Sequence, residues 1–503
     1  MRNLTYAPPR RQGDGPDDNP VLAPSGVNLC CTFSGWEATA ITATEPLRSG
    51  TSEWVDEVLL NGSDDDVCLH LQTGPIARSA LRRLVLGKQE ALVAAGLRPG
   101  GRTALNLPPS LTYVVNLLAV WRIGAQAVLL DHRLTRYEVD AALERLGVQV
   151  VVAVGSTNGS PLNVFHDVTE AITVREGRPA DTSHAVLQLS SGSTGPSKVI
   201  GRTAADLAAE VDRYTRMDGV PRRGERIILL PSMVHVLGLV GGLLYGLHAG
   251  VELVPPRRLT GDSILQAVAA DRTPATVLGV PFHIGLLNSV TDPPALPQLK
   301  RMTTGGELVP AAVSATFDQK YGVPLGNMWG MTELGVIATD LFAEHRPALR
   351  PAPGIEVREV DGELRIRRPE SPYVGLSDPT RWADGWLHTK DAGRVDKETG
   401  LVTVLGRLDS QVSVGGLKVD LTEVEHTLTE LPGVAAAVVL YDKEITAFVQ
   451  LAGGATGQSV EAALAERVAG YKRPRTTHFV TALPRTTTGK LVRDRAVLRE
   501  TVS

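Results

Sequence analysis

Residues 187–202 read LQLSSGSTGPSKVIGR, an apolar segment that runs directly into a loop of glycines, hydroxyl side chains and one lysine. The apolar residues at 185–189 predict a strand. Glycine lets backbone N–H groups approach oxygens closely, hydroxyls donate hydrogen bonds and lysine neutralises charge, so the loop at 190–198 suits a phosphate chain. Its glycines and Lys198 do not have Walker A spacing. A flexible linker rich in glycine and serine is the alternative.

The composition is that of an ordinary globular protein of two or three domains, with 503 residues, 43% hydrophobic and 21% charged. A net charge of −4 gives no electrostatic reason to expect nucleic acid or an anionic membrane as a partner. The cysteines, Cys30, Cys31 and Cys68, are odd in number and near the N-terminus. They argue against a disulfide framework or a four-thiolate zinc site and suit a reducing cytoplasm.

The N-terminal residues 1–20 are polar and proline-rich and lack the apolar centre of a signal peptide. We expect residues 1–25 to form a flexible tail and the protein to be cytoplasmic. The apolar stretch at 233–254 contains five glycines, two histidines and Glu252. It predicts a buried helix and a short strand rather than a membrane span.

Helical and strand patterns alternate over most of the chain, which favours an α/β fold with parallel sheets covered by helices. Predicted strands lie at 103–107, 127–130, 148–154, 226–230, 251–254 and 275–280. Predicted helices lie at 78–96, 110–124, 137–146, 204–217, 238–247 and 262–270. Residues 354–368 alternate with period two and predict a small antiparallel β element. Residues 26–408 are expected to form a large domain, and residues 409–503 a small α+β domain.

Three further stretches carry side chains that suit a nucleotide. WGMTE at 329–333 offers an aromatic face, a hydroxyl and a carboxylate to a base, a phosphate oxygen and Mg²⁺, with a structural turn as the alternative. GWLHTKD at 385–391 offers Asp391 to the vicinal hydroxyls of a ribose, or contains a solvated loop aspartate paired with Lys390. PRTTTGK at 484–490 presents Lys490, which by itself is typical of a basic tail.

The order and spacing of these stretches, together with GRLDSQVSVGGLKVDLTEVE at 406–425, resemble those of the adenylate-forming superfamily. This superfamily includes acyl- and aryl-CoA ligases, peptide-synthetase adenylation domains and firefly luciferase. The resemblance covers about residues 78–495. It implies an enzyme that uses ATP and Mg²⁺ to convert a carboxylic acid into an adenylate with release of pyrophosphate. The acyl group then passes to a thiol, with CoA as the expected co-substrate.

The resemblance also implies roles for individual residues. Those implied to bind ATP are Ser191, Gly192, Ser193, Thr194, Lys198, Gly305, Gly306, Glu307, Trp329, Asp391 and Arg407. Glu333 is implied to hold Mg²⁺, and the implied catalytic residues are Lys490, His235 and Thr332. A lysine at the reacting phosphorus stabilises the charge that builds on its oxygens in the transition state.

Asp409 falls at the hinge about which the small domain of the family rotates. That rotation is implied to remove Lys490 after adenylation and to bring Gly415 and Gly416 to the site, where the thiol or amine enters. Basic residues such as Lys418, Lys472 and Arg473 could then meet CoA phosphates, with surface solubility as their alternative role.

The acid pocket is expected around His235, Gly306, Gly330 and Met331, with residues 281–285, 304–307 and 327–331 in its lining. His235 stands where acid-activating members carry a histidine, whereas a histidine at an apolar helix start is by default a satisfied core residue. No aspartate occurs between Glu225 and Glu252 to pair with an ammonium group. We therefore expect an acid without a free α-amino group.

Four residues depart from the usual pattern of the family. Ser197 stands in place of proline, Val199 in place of glycine, Trp329 in place of tyrosine and Lys390 in place of glycine. The first three supply no charged group. Lys390 places a cation next to Asp391, where it is either a neutral structural substitution or a competitor for that carboxylate.

Other functions stay open. An amide synthetase that passes the adenylate to an amine, or an enzyme of specialised metabolism that loads a carrier-protein phosphopantetheine, would share every motif. A regulatory nucleotide-binding protein without catalysis is the alternative from another class. The joint presence of Lys198, Glu333, Asp391 and Lys490 argues against it.

Overall fold

The first part of the chain alternates strands and helices, as predicted. The structure, a computed structural model, describes residues 53–158, 160, 163–190, 198–306, 309, 311–484 and 491–502. After a π-helical turn at Val55–Leu59, its elements are β1 (Val67–Leu71), β2 (Gly74–Ala77), α1 (Arg78–Ala94), β3 (Arg102–Asn106), α2 (Leu111–Arg122), β4 (Gln126–Leu129), α3 (Arg136–Leu146), β5 (Val150–Asn158), β6 (Asp167–Val174), β7 (His184–Ser190) and β8 (Lys198–Thr203). The tail predicted at 1–25 lies outside the described residues.

Strands β3 to β8 form a six-stranded sheet in the order β6-β5-β3-β4-β7-β8. Its central pairs are parallel, whereas β6 and β8 pair antiparallel at the two edges. Ser190 pairs with Lys198, so the glycine-rich loop joins the two strands of a hairpin. Strand β8 is not among the predicted strands, because Val199 and Ile200 are its only large apolar residues.

The chain then builds a nine-stranded sheet in the order β15-β14-β13-β12-β11-β9-β10-β1-β2. Its further elements are α4 (Ala204–Thr215), β9 (Arg226–Leu229), a π-helix (Leu237–Leu244), α5 (Tyr245–Ala249), β10 (Glu252–Val254), α6 (Gly261–Ala269), β11 (Ala275–Gly279), α7 (Pro281–Asn288), β12 (Leu299–Gly305), α8 (Ala311–Tyr321), β13 (Leu325–Met331), β14 (Gly335–Asp340) and β15 (Arg350–Pro351). The buried helix and short strand predicted at 233–254 are confirmed. In the described part of the chain, no helix is long and apolar enough to cross a membrane.

Helix α2, the π-helix and α5 contribute to the largest apolar cluster, with side chains such as Tyr113, Trp121, Leu239 and Tyr245 at 2% exposure or less. Burying apolar side chains contributes roughly 1.5–3 kcal/mol each, so this cluster is the main source of stability in the large region. The packing also aligns the carboxyl ends of several parallel strands. In open α/β sheets, ligands bind at such ends.

A five-stranded antiparallel sheet follows, with β16 (Val357–Val360), β17 (Glu363–Arg367), β18 (Trp382–Ala383), β19 (Trp386–Val395) and β20 (Val402–Arg407). It has the order β16-β17-β19-β18, with β20 paired to β19. The hairpin of β16 and β17 confirms the antiparallel element predicted at 354–368. In β19, buried residues alternate with more exposed ones, and Asp391 is one of the buried ones.

The C-terminal region, residues 411–502, has apolar clusters of its own, which include Val424, Leu428 and Val449. Its elements are β21 (Gln411–Val414), β22 (Leu417–Asp420), α9 (Leu421–Thr429), β23 (Val434–Tyr441), β24 (Ile445–Leu451), α10 (Gly457–Arg467), a 3₁₀ turn (Gly470–Lys472), β25 (Thr476–Val480), α11 (Arg495–Arg499) and a last 3₁₀ turn (Glu500–Val502). Strands β21 and β22 form a separate hairpin, and β23, β24 and β25 form a sheet.

Candidate active site

One cavity of about 1380 Å³ collects most of the predicted site residues. Those that line it are Lys198, His235, Gly305, Gly306, Trp329, Gly330, Met331, Thr332, Glu333, Asp391, Arg407, Gly415 and Gly416. The cavity lies at the carboxyl ends of strands such as β4, β9, β12 and β13, and the C-terminal region covers part of it. Ser191, Gly192, Ser193, Thr194, Glu307 and Lys490 lie outside the described residues.

Asp391 is a buried aspartate whose carboxylate accepts two hydrogen bonds and whose backbone N–H donates a third. Arg407 Nη1 donates to its Oδ1 at 3.0 Å, and Trp329 Nε1 donates to its Oδ2 at 3.0 Å. The Asp391 backbone N–H donates to Thr389 Oγ1 at 2.9 Å. Burial raises the pKa of Asp391, and Arg407 opposes that rise. A solvated loop aspartate is therefore the wrong description, since the residue is 7% exposed on a strand.

Trp329 lies at the end of β13 rather than in a turn, and only residues 332–334 form the turn between β13 and β14. Because its indole N–H bonds Asp391, the departure from tyrosine supplies a donor that fixes the carboxylate. Each carboxylate oxygen has about two acceptor sites, so lone pairs remain for two hydroxyls of a ribose.

Asp409 does not line the cavity but lies directly behind Arg407. The Arg407 guanidinium donates to Asp409 through Nε at 3.0 Å and through Nη2 at 2.8 Å, and Arg381 Nη1 lies 3.2 Å from Asp409 Oδ2. Burial opposes ionisation, but the two arginines hold the pKa of Asp409 below its ordinary value. The residue predicted as the hinge is thus connected through Arg407 to Asp391.

Glu333 is buried in the turn after β13 and accepts a hydrogen bond from the Tyr373 hydroxyl at 3.2 Å. Burial raises its pKa, and the positive charges of Arg407 and Lys198 oppose that rise. A cation beside Glu333 would favour the ionised form. The described residues contain no group of three or more His, Cys, Asp or Glu side chains that could hold a metal. A lone carboxylate fits Mg²⁺, which usually takes one or two carboxylates and completes its shell with phosphates and water.

A buried ion pair fixes the turn that carries Thr332 and Glu333. Arg202 Nη2 lies 2.6 Å from Glu210 Oε2, and both side chains are almost wholly buried. Glu210 Oε1 also accepts a hydrogen bond from the Val336 backbone at 2.9 Å. Gly335 has a φ of +98° and packs against the Glu210 carboxylate, so a side chain there would displace that carboxylate.

Lys390 points away from the neighbouring Asp391. Its Nζ lies 3.4 Å from Glu363 Oε1, and its backbone N–H donates to the same oxygen at 3.1 Å. It does not compete for Asp391, whose hydrogen-bond partners are other residues. Its φ of +61° lies in the left-handed region, which explains why the family uses glycine here.

The hairpin of β21 and β22 brings Gly415 and Gly416 to the cavity. Lys418 Nζ donates to the Gly306 carbonyl at 2.5 Å, which joins the hairpin to the end of β12. A Cβ on Gly416 would lie 2.7 Å from Val280 Cγ2, so only glycine permits this close approach.

Lys472 and Arg473, predicted either to meet CoA phosphates or to be solubilising surface cations, are both engaged by contacts within the protein. Lys472 is 7% exposed, and its Nζ lies 2.9 Å from both Glu138 Oε1 of the large region and Glu423 Oε1 of α9. Burial opposes the charge, but these carboxylates raise the pKa of Lys472. Arg473 donates to the carbonyls of Val468 and Ala465. Both cations are held by contacts within the protein, which sequence patterns do not reveal.

Asp131 is a site residue that the sequence does not indicate. It follows β4, is 5% exposed and lines the same cavity as His235. Its Oδ2 lies 3.4 Å from His235 Nε2. His235 is half-buried just before the π-helix, so it is not a wholly enclosed core histidine. The absence of aspartate from residues 225–252 therefore does not leave the pocket without a carboxylate.

A large α/β region, a small C-terminal region and one cavity between them define the architecture of an adenylate-forming enzyme. The AMP-binding enzyme model matches residues 89–375, more than half of the chain. The model of the AMP-binding enzyme C-terminal domain matches residues 423–490. The chain therefore belongs to the AMP-binding enzyme family, as an adenylate-forming ligase of the CoA ligase-like or amide synthetase-like kind. This confirms the resemblance found in the sequence.

Individual relatives span nearly the whole chain. A 3-[(3aS,4S,7aS)-7a-methyl-1,5-dioxo-octahydro-1H-inden-4-yl]propanoyl:CoA ligase of Mycobacterium tuberculosis is 29% identical over 85% of this chain and 94% of its own length. The amide bond synthetase McbA from Marinactinospora thermotolerans is 26% identical, with a TM-score of 0.69 over 90% of this chain and 99% of that one.

The structure of an o-succinylbenzoate CoA synthetase (MenE) double mutant from Bacillus subtilis, bound with its product analogue, has a similar fold. Its TM-score is 0.75 at 23% identity, over 88% of this chain and 97% of that one. The same enzyme in complex with AMP gives a TM-score of 0.61. The fold of this chain is thus more similar to the form with the product analogue.

Proposed function

We propose that the protein joins a carboxylic acid to the thiol of CoA through an acyl- or aryl-adenylate, with release of pyrophosphate, in the cytoplasm. The observation that carries this proposal is the position of the hairpin with Gly415 and Gly416, which lines the same cavity as Asp391 and Glu333. A site with nucleotide-binding groups on one side and an acceptor entrance on the other suits activation followed by transfer. The proposed domains are 26–408 and 409–503, with Asp409 as the hinge.

In the activation step, Asp391 would bind the ribose hydroxyls and Glu333 would hold Mg²⁺ beside the phosphates. Mg²⁺ bound with ATP would neutralise phosphate charge. Burial lowers the pKa of Lys198, as does the nearby charge of Arg381. Lys198 lines the cavity, and its ammonium would attract the phosphate chain. Lys490 is proposed to stabilise the charge on the α-phosphate as the acid carboxylate attacks.

In the transfer step, the acceptor would enter past Gly415 and Gly416 and reach the acyl carbon near His235. The acid pocket would be built around His235, Gly306, Gly330 and Met331. His283 adds a neutral imidazole to the cavity wall, since burial lowers its pKa to about 4. The greater fold similarity to the form with the product analogue supports the view that this domain arrangement belongs to transfer.

Transfer to an amine is the second candidate. It is favoured by one observation: the contacts of Lys472 and Arg473 within the protein leave them poorly placed for the phosphates of CoA. McbA is an amide bond synthetase by name, and its fold is similar over nearly the whole chain. Loading of a carrier protein would use the same entrance.

The test is to incubate the enzyme with ATP, Mg²⁺ and a panel of acids, and to measure pyrophosphate release. The panel includes benzoate, 4-coumarate, 2-succinylbenzoate and a fatty acid, for which relatives are named. Each acid that releases pyrophosphate is then incubated with the enzyme, ATP and either CoA or a primary amine, and the products are identified by mass spectrometry. We expect a CoA thioester formed faster than without enzyme; an amide alone would favour the second candidate. Lys490→Ala should lose pyrophosphate release, whereas Lys397→Ala, at an exposed lysine, should keep it.

A further inference from the structure

The contact between Asp131 and His235 joins two distant parts of the sequence in the cavity. Asp131 Oδ2 lies 3.4 Å from His235 Nε2, an ion-pair contact somewhat longer than a normal hydrogen bond. Both residues line the cavity that contains the proposed nucleotide site and the Gly415-Gly416 hairpin. A carboxylate against one nitrogen of a cavity histidine is the arrangement that orients a catalytic base.

The Asp131 carboxylate cannot turn, because Arg133 holds both of its oxygens. Arg133 donates to Oδ1 from its backbone N–H at 2.9 Å and from Nε at 2.8 Å, and to Oδ2 from Nη2 at 2.5 Å. The guanidinium lies over the ring of Tyr471, 5.6 Å from its centre. Burial opposes ionisation, but the bonds from His235 and Arg133 keep the pKa of Asp131 below its ordinary value.

This carboxylate determines which nitrogen of His235 carries the proton. Nε2 is buried without a hydrogen-bond partner of normal geometry, and Asp131 Oδ2 at 3.4 Å is the acceptor beside it, so this nitrogen is best satisfied when it bears the hydrogen. The side chain is 44% exposed overall, and that exposure lies outside Nε2. In the neutral imidazole the other nitrogen, Nδ1, then has a free lone pair on the accessible edge.

We propose that Asp131 is a positioning residue that holds His235 in the Nε2–H form, so that Nδ1 takes the proton of the acceptor during transfer. This rests on the proposed function. The acceptor sulfur forms a bond to the acyl carbon, the bond from that carbon to the AMP oxygen breaks, and AMP leaves as an anion. The thiol proton goes to Nδ1, and Asp131 stabilises the resulting imidazolium.

Asp131→Asn tests this role because an amide has one acceptor and one donor. Two Arg133 N–H groups point at the Oδ1 position and one at the Oδ2 position, so the amide oxygen is better placed at Oδ1, at the cost of the bond from Nη2, and the NH₂ group faces His235. Nε2 must then accept, and the proton moves to Nδ1. The tautomer can be read without any substrate, from nitrogen chemical shifts of ¹⁵N-histidine-labelled protein, with His235→Gln to assign the signal. We expect Nε2–H in the wild type and Nδ1–H in Asp131→Asn.

The kinetic test uses an acid active in the panel and a single turnover in which pyrophosphate and CoA thioester are measured in the same samples. We expect Asp131→Asn to slow thioester formation about 100-fold, the usual size of a general-base contribution, and to reduce the pyrophosphate burst far less. Adding His235→Gln to Asp131→Asn should give little further loss, since one residue acts through the other. Asp140→Asn, the same change at an exposed aspartate of α3, should act like the wild type.

Two results would overturn the proposal: a wild-type His235 that carries its proton on Nδ1, or losses from Asp131→Asn and His235→Gln that simply add. A wild type that releases no pyrophosphate with any acid would instead refute the proposed function, while the tautomer still decides whether Asp131 positions His235.

Discussion

Asp391 and Asp131 are two buried carboxylates in one cavity, and each is approached by an arginine and by a ring nitrogen. Arg133 donates to both oxygens of Asp131. Arg407 donates to only one oxygen of Asp391, because its Nη2 donates to both oxygens of Asp409 instead. Burial raises the pKa of Asp391 above its ordinary value, and its single bond from Arg407 opposes that rise only in part. Burial also acts on Asp131, but there the neighbouring His235 and Arg133 outweigh it and keep the pKa below its ordinary value. An aspartate with spare lone pairs can bind a ligand, whereas one enclosed by a guanidinium can orient a neighbour.

The largest expected effect separates these two roles. Asp391→Asn should raise the Michaelis constant for ATP and lower kcat/KM for ATP by about 100-fold or more, since hydrogen bonds to a charged group are worth about 1.5–3 kcal/mol each. Steady-state pyrophosphate release at varied ATP measures this. Asp384→Asn is the control, because Asp384 is exposed and asparagine tolerates its φ of +52°. An unchanged Michaelis constant in Asp391→Asn would remove the distinction between the two carboxylates.

A smaller effect is expected where the C-terminal region meets the large region. Lys472→Met leaves Glu138 and Glu423 facing each other without their shared cation. We expect thioester formation to slow about tenfold while the pyrophosphate burst changes less, because the contact stabilises one domain arrangement. Single-turnover assays measure both steps.

The control for that experiment is Lys300→Met, at an exposed lysine of the large region. Adding Glu138→Gln to Lys472→Met should restore part of the rate, since it removes one of the two facing charges. Equal losses in both half-reactions would mean that Lys472 acts on overall stability alone.

The smallest effect concerns Lys390, next to Asp391. Lys390→Gly should raise the thermal unfolding midpoint by about 1 °C. Removing a side chain from a left-handed backbone stabilises the fold by about 1–2 kcal/mol. The greater conformational entropy of glycine in the unfolded chain and the loss of the contact with Glu363 offset part of that gain. Lys390→Ala keeps the strain and loses the ammonium, so its midpoint should fall. A lower midpoint in Lys390→Gly than in Lys390→Ala would contradict the strain argument.

Local patterns suffice for the α/β architecture, and the order of short motifs singles out Trp329, Glu333 and Asp391, which the structure brings to one cavity. They do not reveal Asp131 beside His235, because β4 and β9 belong to different sheets and only tertiary packing brings their ends together. The burial of Lys472 is hidden for the same reason, since its partners lie on α3 and α9. The sequence of this chain does not indicate the left-handed backbone of Lys390; only the glycine that the family usually has at this position points to it.

The central proposal is that the acceptor enters past Gly415 and Gly416 in the domain arrangement described here, and Gly416 tests it most directly. A Cβ on Gly416 would meet Val280, whereas a Cβ on Gly415 would meet no atom within 4 Å. Both residues have positive φ, +84° and +58°, so both alanine variants carry a similar backbone strain.

The measurement is a single-turnover comparison of pyrophosphate release and thioester formation in Gly416→Ala and Gly415→Ala. We predict that Gly416→Ala forms thioester at least about tenfold more slowly than Gly415→Ala, equivalent to about 1.4 kcal/mol, while both release pyrophosphate alike. Equal thioester rates in the two variants, or a matching loss of pyrophosphate release in Gly416→Ala, would contradict the claim.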